Sequence, residues 1–189
     1  PLRNFGEMQT NGWELELGYN HQFENGLNMR LSGQLSDYKE SITKYDGAAL
    51  VYTDGTSSYY QGKQIGEIWG YETDRLFQAS DFSKDASGNY IMNSGIPSQS
   101  YYETNAFKFG PGDVKYSDLN GDGVIGVGNG TVANPGDRKV IGNSTPRYQY
   151  GFRADFAYKG FDLGIFVQGV GQRDIWAGGD LAVPGWRPA

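Results

Sequence analysis

The run Asp118-Leu119-Asn120-Gly121-Asp122-Gly123-Val124-Ile125 sets oxygen-bearing side chains at alternate positions and a glycine at a sharp turn. That pattern is the first half of a calcium loop. Calcium takes roughly six to eight hard oxygens, with side chains at loop positions 1, 3 and 5 and a backbone carbonyl at 7. Asp118, Asn120 and Asp122 fill the side-chain places, and Val124 would offer the carbonyl. Gly123 stands at the turn and Ile125 would anchor the loop to packed structure. The acidic residue that such loops carry at position 12 is absent, because that place is Asn129. A metal-free turn is the competing reading, since Asp and Asn readily accept hydrogen bonds from their own backbone. Calcium here would be structural, pinning a long loop.

Other chemistry is sparse. His21 is the only histidine, and with no cysteine and no carboxylate at metal spacing it reads as a solvated or interfacial residue. Glu14 and Glu16 form a carboxylate pair of the kind glycosidases use, but on an alternating strand they share one polar face. No Gly-x-Ser-x-Gly, phosphate-binding loop or zinc motif is present. The chain is therefore not expected to be an enzyme. Trp69, Tyr71, Tyr101 and Tyr102 could stack on a substrate such as a sugar, or simply pack a long loop.

These residues need strands to position them. Trp13, Leu15, Leu17 and Tyr19 alternate with Glu14, Glu16, Gly18 and Asn20. Glu24-Asn25-Gly26 supplies a hairpin turn, since Asn-Gly tolerates the positive φ such turns demand. The return strand sets Leu27, Met29, Leu31, Gly33 and Leu35 on one face. Tyr148, Tyr150, Phe152, Ala154, Phe156 and Tyr158 do the same in a second hairpin, which turns at Lys159-Gly160 and returns through Phe161, Leu163, Ile165 and Val167. The spacing predicts hairpins over about 11–38 and 147–170, joined by a long loop region over about 40–145 that holds the acidic loop.

Such alternation fits half-buried strands of a soluble sandwich or strands of a membrane barrel. Strands of ten residues or so, tyrosines near their ends, short turns on one side and a long connection on the other favour the barrel. Four strands cannot close one, so most of the barrel would lie outside this chain. Composition agrees: aromatic residues make up 15% and there are 29 glycines, a mixture of β-rich envelope proteins. No apolar run is long enough for a membrane-spanning helix. The net charge of −6 leaves no basic run to meet nucleic acid. The opening Pro1-Leu2-Arg3-Asn4 lacks an initiator methionine, so a fragment or processed product is expected.

Several stretches carry a family pattern. Gly112-Asp113-Val114-Lys115-Tyr116-Ser117-Asp118-Leu119-Asn120-Gly121-Asp122-Gly123 is followed by Asp137-Arg138-Lys139-Val140-Ile141-Gly142-Asn143-Ser144-Thr145-Pro146 and Tyr148-Gln149-Tyr150-Gly151-Phe152. Tyr158-Lys159-Gly160-Phe161-Asp162-Leu163 and Phe166-Val167-Gln168-Gly169-Val170-Gly171 continue it. Upstream stand Ile65-Gly66-Glu67-Ile68-Trp69-Gly70-Tyr71, Leu76-Phe77-Gln78 and Asn11-Gly12-Trp13-Glu14-Leu15. In that order they resemble the C-terminal barrel part of SusC/RagA-type TonB-dependent outer-membrane transporters.

The resemblance implies an all-β fold: antiparallel strands of a large transmembrane β-barrel, incomplete here, with long extracellular loops. It implies nutrient import, of glycan or peptide, with a SusD-like surface lipoprotein as partner. It also implies contact with outer-membrane lipid and coupling to the TonB system through regions absent from this sequence. The location implied is the outer membrane of a Gram-negative, Bacteroidetes-like bacterium. In the family's compact form the acidic loop runs straight into an Asp-Arg pair, so Asp137 is expected to close the calcium site while residues 127–136 bulge out as an insertion. Asn129 competes for that role. Asp74-Arg75 departs from the pattern, standing where a glycine-containing turn is expected. The alternative is a secreted, calcium-stabilised β-rich glycan-binding module, whose apolar strand faces would pack against a second sheet within the chain.

Overall fold

The structure is a computed structural model, and it describes residues 5–177. The chain divides into two compact units. The first contains the described residues up to Tyr45, Gln61–Gly66, and those from Asn143 onward; the second contains Asp46–Tyr60 and Glu67–Gly142.

The first unit is built on four long strands: β1 (Gly6–Gln22), β2 (Asn28–Tyr45), β9 (Arg147–Tyr158) and β10 (Phe161–Gln172). They form an antiparallel sheet in the order β1-β2-β9-β10, which is not closed among the described residues. The β1–β2 turn is made by Asn25, whose side chain accepts from the Leu27 N–H at 3.1 Å, and by Gly26 at φ +88°. The β9–β10 connection is only two residues, Lys159 and Gly160, both at positive φ. Turns with two positive φ values match the right-handed twist of the flanking strands.

The register aligns the alternation of all four strands into rows. Leu17, Gly33, Phe152 and Val167 form one row across the sheet, and Tyr19, Leu31, Ala154 and Ile165 the next. Leu15, Leu35 and Tyr150 lie on one side of this pair of rows, and Met29, Phe156 and Leu163 on the other. The opposite face carries Glu16, Gln34 and Gln168, then Arg153, then Asn20, Arg30 and Asp155. There Arg153 binds Asp155 through two hydrogen bonds of 2.8 and 2.9 Å, and Arg30 donates to Asn20.

The apolar face is uncovered. Leu17 is 66% exposed, and Trp13, Leu15, Tyr19, Tyr150, Phe152, Leu163 and Val167 are all classed as exposed. Fully burying one such side chain is worth about 1.5–3 kcal/mol, so a bare face of this size is one that expects an apolar environment.

The second unit has its own small core, in which Phe77, Phe82 and Phe109 are buried against Met92, Ile96 and Tyr102. Short antiparallel pairs surround it: β3 (Glu67–Tyr71) with β8 (Arg138–Asn143), β4 (Thr73–Leu76) with β7 (Val114–Tyr116), and β5 (Phe82–Lys84) with β6 (Tyr90–Met92). Gln99 is fully buried and extends one of these ladders. Its side-chain oxygen accepts from the Tyr116 N–H at 2.6 Å and its amide donates to the Val114 carbonyl at 3.1 Å. Asp81, also buried, is gripped by both guanidinium nitrogens of Arg75 at 2.6 and 2.8 Å.

Candidate functional site: the acidic loop

β7 delivers the chain into the acidic loop and β8 carries it away. Inside the loop nearly every polar side chain is turned onto the backbone. The Asp118 oxygens accept from the N–H groups of Gly121 (2.7 Å) and Gly123 (2.9 Å). Asn120 Oδ1 accepts from Asp122, and Asp122 Oδ1 accepts from Val124, at 2.9 and 2.8 Å. Gly121 and Gly123 sit at φ +76° and +81°, a region that side-chain-bearing residues enter at a cost. Ile125 is fully buried, and its N–H donates to Ser98 O while Gly123 O accepts from the Ser98 N–H.

Asp137 is fully buried and spans the mouth of the loop. One of its oxygens accepts from Leu119 N–H and the other from Gly126 N–H, both at 2.8 Å. Its carboxyl group also meets that of Asp118. Burial works to raise the Asp118 pKa, but the N–H groups of Gly123, Gly121 and Asp122, with the contact to Asp137, hold it below the ordinary carboxylate value. No Lys or Arg ion pair reaches Asp118, Asp122 or Asp137 among the described residues. Two adjoining carboxyl groups without a cationic side chain form a place where a bound cation would relieve their repulsion.

The donors are hard oxygens, the set calcium takes, and each carboxylate oxygen keeps a second lone pair beyond its backbone bond. In the observed arrangement the side chains are closed onto the backbone. Among the described residues, no three or more of His, Cys, Asp and Glu gather into a metal cluster. The chemistry of the set fits calcium; the amide of Asn120 and the carbonyl of Val124 would have to complete it.

Asn129 lies elsewhere. Its side-chain oxygen accepts from the N–H and hydroxyl of Thr131 at 3.1 and 2.7 Å, closing a turn of its own. Residues 127–136 leave the loop between Gly126 and Asp137, whose backbones are bonded to each other, and they do not hang free. Val51 N–H donates to Gly130 O and Val132 N–H to Ala49 O, so the insertion is sewn to the 49–51 segment. Gly128 and Gly136 are tightly packed too: a side chain on Gly136 would lie 2.3 Å from Gly126 O. The agent of this closure is Arg138, a buried guanidinium that donates to the carbonyls of Val51, Tyr52, Val127 and Pro135. Its place beside Asp137 was visible in the sequence, but nothing there marked it as a backbone hub.

The four loop aromatics separate. Trp69 is buried, and its indole N–H donates to Glu67 at 2.9 Å, so it has no face to offer a ligand. Of the two readings held for Trp69, stacking on a substrate or packing the loop, its burial favours packing. Tyr71 is half-buried, bonds Tyr102 through their hydroxyls and donates to Gly126 O at 3.2 Å, which links the acidic loop to the aromatic cluster. Tyr71, Tyr102 and Tyr116 pack ring on ring. Tyr101 is 57% exposed and stands edge-on to Tyr102.

Three curated proteins of Formosa agariphila resemble the chain. TonB-dependent receptor P3 is 23% identical over 88% of it, P26 is 22% identical over 93%, and P39 is 25% identical over 84%. The chain spans only about 15–16% of the length of these relatives. No protein-family model matches it. The relatives are receptors, and the expectation of a protein that is not an enzyme holds on that ground. Proteins of this kind are outer-membrane proteins of Gram-negative bacteria, and they are β-barrels. Along most of its length, on an antiparallel all-β scaffold, this chain is similar to part of a TonB-dependent receptor, which supports its being a fragment of one.

Proposed function

We propose that the chain is part of the barrel of an outer-membrane nutrient importer of the SusC/RagA type. The observation that carries this is the uncovered apolar face, aligned in rows across four strands and backed by a face of Glu, Gln, Arg and Asp. From Trp13 to its end at Gln22 the strand runs about 30 Å. At a tilt of about 40° that gives roughly 23 Å of height, close to the thickness of a barrel's apolar band. A water-facing channel lined by the polar face and lipid on the apolar face satisfy both sides. The secreted-module reading requires a second sheet over the apolar rows, and their exposure argues against it.

In this reading the second unit lies outside the cell as the loop between two adjacent barrel strands. The substrate is a glycan or peptide, a SusD-like lipoprotein partners the receptor, and the host is a Bacteroidetes-like bacterium. Energy arrives through the TonB system by way of regions beyond this sequence. Tyr101, still exposed, and Tyr71 and Tyr102, half-buried beside it, are the aromatics left to line a substrate path. Calcium would bind through Asp118, Asn120, Asp122, the Val124 carbonyl and Asp137, locking the loop.

Deletion of the receptor gene, followed by growth on a panel of single glycans and peptides, tests the importer role. Loss of growth on one substrate class, restored by the wild-type gene only when TonB is present, is expected. Unchanged uptake of every glycan and peptide in the panel would refute it. For the metal, calorimetry of the receptor with calcium should show a binding heat that Asp122→Ala reduces, and equal heats would dismiss it.

A further inference from the structure

The apolar face ends abruptly at one edge. One step beyond Leu15 and Leu35 the register brings Trp13 opposite Asp37, and one step further Asn11 opposite Lys39, all on the same side of the sheet. Asp37 is buried there, and Arg147 grips it with two guanidinium nitrogens while Tyr148 N–H adds a third contact. Tyr148 takes φ +54°, and its ring lies 5.2 Å from the Arg147 guanidinium. The two charges neutralise each other and mark where hydrocarbon must stop, because an unpaired charge in lipid is costly.

The pair itself lines a groove together with Asn11, Trp13, Lys39, Ser41 and Gln64. Lys39 is exposed and enters no ion pair or hydrogen bond among the described residues. With Asp37 consumed by Arg147, the groove carries one uncompensated positive charge. Apart from Arg147, held by Asp37, its other donors are the neutral amides and hydroxyl of Asn11, Gln64 and Ser41. Trp13, about half exposed, walls it on the side of the apolar rows, and a tryptophan in that place is at home at the headgroup level of a bilayer.

We propose that this groove seats the phosphate of an anionic membrane lipid, whose acyl chains run down over Leu15, Leu35 and Tyr150. The inference rests on the membrane-spanning reading given above. A free phosphate would satisfy the charge equally well. The continuity of the groove with the apolar rows favours a ligand that is anionic at one end and apolar at the other.

The test uses the intact receptor in detergent micelles, with lipid retention measured by native mass spectrometry. The probes are phosphatidylglycerol, phosphatidylcholine of the same chains, and inorganic phosphate. One lysine near a bilayer surface contributes about 1 kcal/mol toward an anionic lipid, which is about fivefold in affinity. Wild type should therefore hold phosphatidylglycerol about fivefold over phosphatidylcholine. Lys39→Gln should abolish that preference, while Lys44→Gln, at the partner of Glu7, should not. Equal retention of the two lipids, or an unchanged preference in Lys39→Gln, overturns the proposal, as does displacement of phosphatidylglycerol by inorganic phosphate. A receptor that stays soluble without detergent and retains no lipid refutes the membrane reading and this site together. Lipid retained without dependence on Lys39 refutes the site alone.

Discussion

Leu17 and Gly18 are neighbours in β1 that point to opposite faces of the sheet. Leu17 sits in the row with Phe152 and Val167 and is 66% exposed, while a side chain added at Gly18 would meet no atom within 4 Å. Both lie near the middle of the stretch from Trp13 to Gln22. If the apolar face meets hydrocarbon, Leu17→Arg places a cation near the bilayer midplane at a cost of about 2–4 kcal/mol. Gly18→Arg would project into the watery interior at almost no cost. The lower figure alone shifts the folding equilibrium about 30-fold. Urea unfolding of the intact receptor from lipid vesicles, followed by its heat-modifiable electrophoretic mobility, reads the difference directly. Should both substitutions fall within about 0.5 kcal/mol of wild type, as exposed surface changes in water do, Leu17 would be facing water and the reasoning would fail.

Asp137→Ala removes the acceptor of the Leu119 and Gly126 N–H groups, at about 1 kcal/mol for each hydrogen bond lost, since Leu119 is exposed and Gly126 half-buried. Hydrogen exchange at those two amides should accelerate while that of β9 is unchanged. Arg75 holds the Asp81 carboxyl down at about 2, helped by Gln78 N–H and opposed by burial. A carboxylate lowered on folding stabilises the native state above its unfolded value of 3.8 and loses that contribution as pH falls toward 2. Acid titration should therefore loosen the Phe77 core between about pH 4 and 2 in wild type, and Asp81→Asn should flatten the curve across that window. Gly66 stands at φ +84° with Thr145 Oγ1 2.5 Å from where a Cβ would go, whereas Gly62, at φ +93°, faces open space. Gly66→Ala should lower the melting temperature clearly further than Gly62→Ala, because only the first adds a clash to the backbone strain.

The antiparallel all-β class was legible because its signal is local. Period-two alternation and the Asn25-Gly26 and Lys159-Gly160 turns each sit within a few residues. Asp37 could have been read as well, since a charge in the Leu31, Gly33, Leu35 series announces the end of the apolar face. Its partner could not, because Arg147 lies 110 positions away and is brought near only by the β2–β9 pairing. The second unit was opaque for the same reason. Phe77, Phe82 and Phe109 follow no period, and the insertion is held by backbone hydrogen bonds that leave no mark on side-chain identity. At the acidic loop the residue types spoke for calcium, while the contact of Asp137 with Leu119 and Gly126 emerged only from the fold.

In the barrel reading one face of the sheet meets lipid and the other meets water. Spin labels placed singly from position 13 to position 20 of the intact receptor in bilayers, read by collision with oxygen and with a water-soluble nickel chelate, test it most directly. Strict alternation is expected: oxygen-accessible at 13, 15, 17 and 19, nickel-accessible at 14, 16, 18 and 20. Nickel access at all eight positions, or accessibility with no period of two, would contradict it.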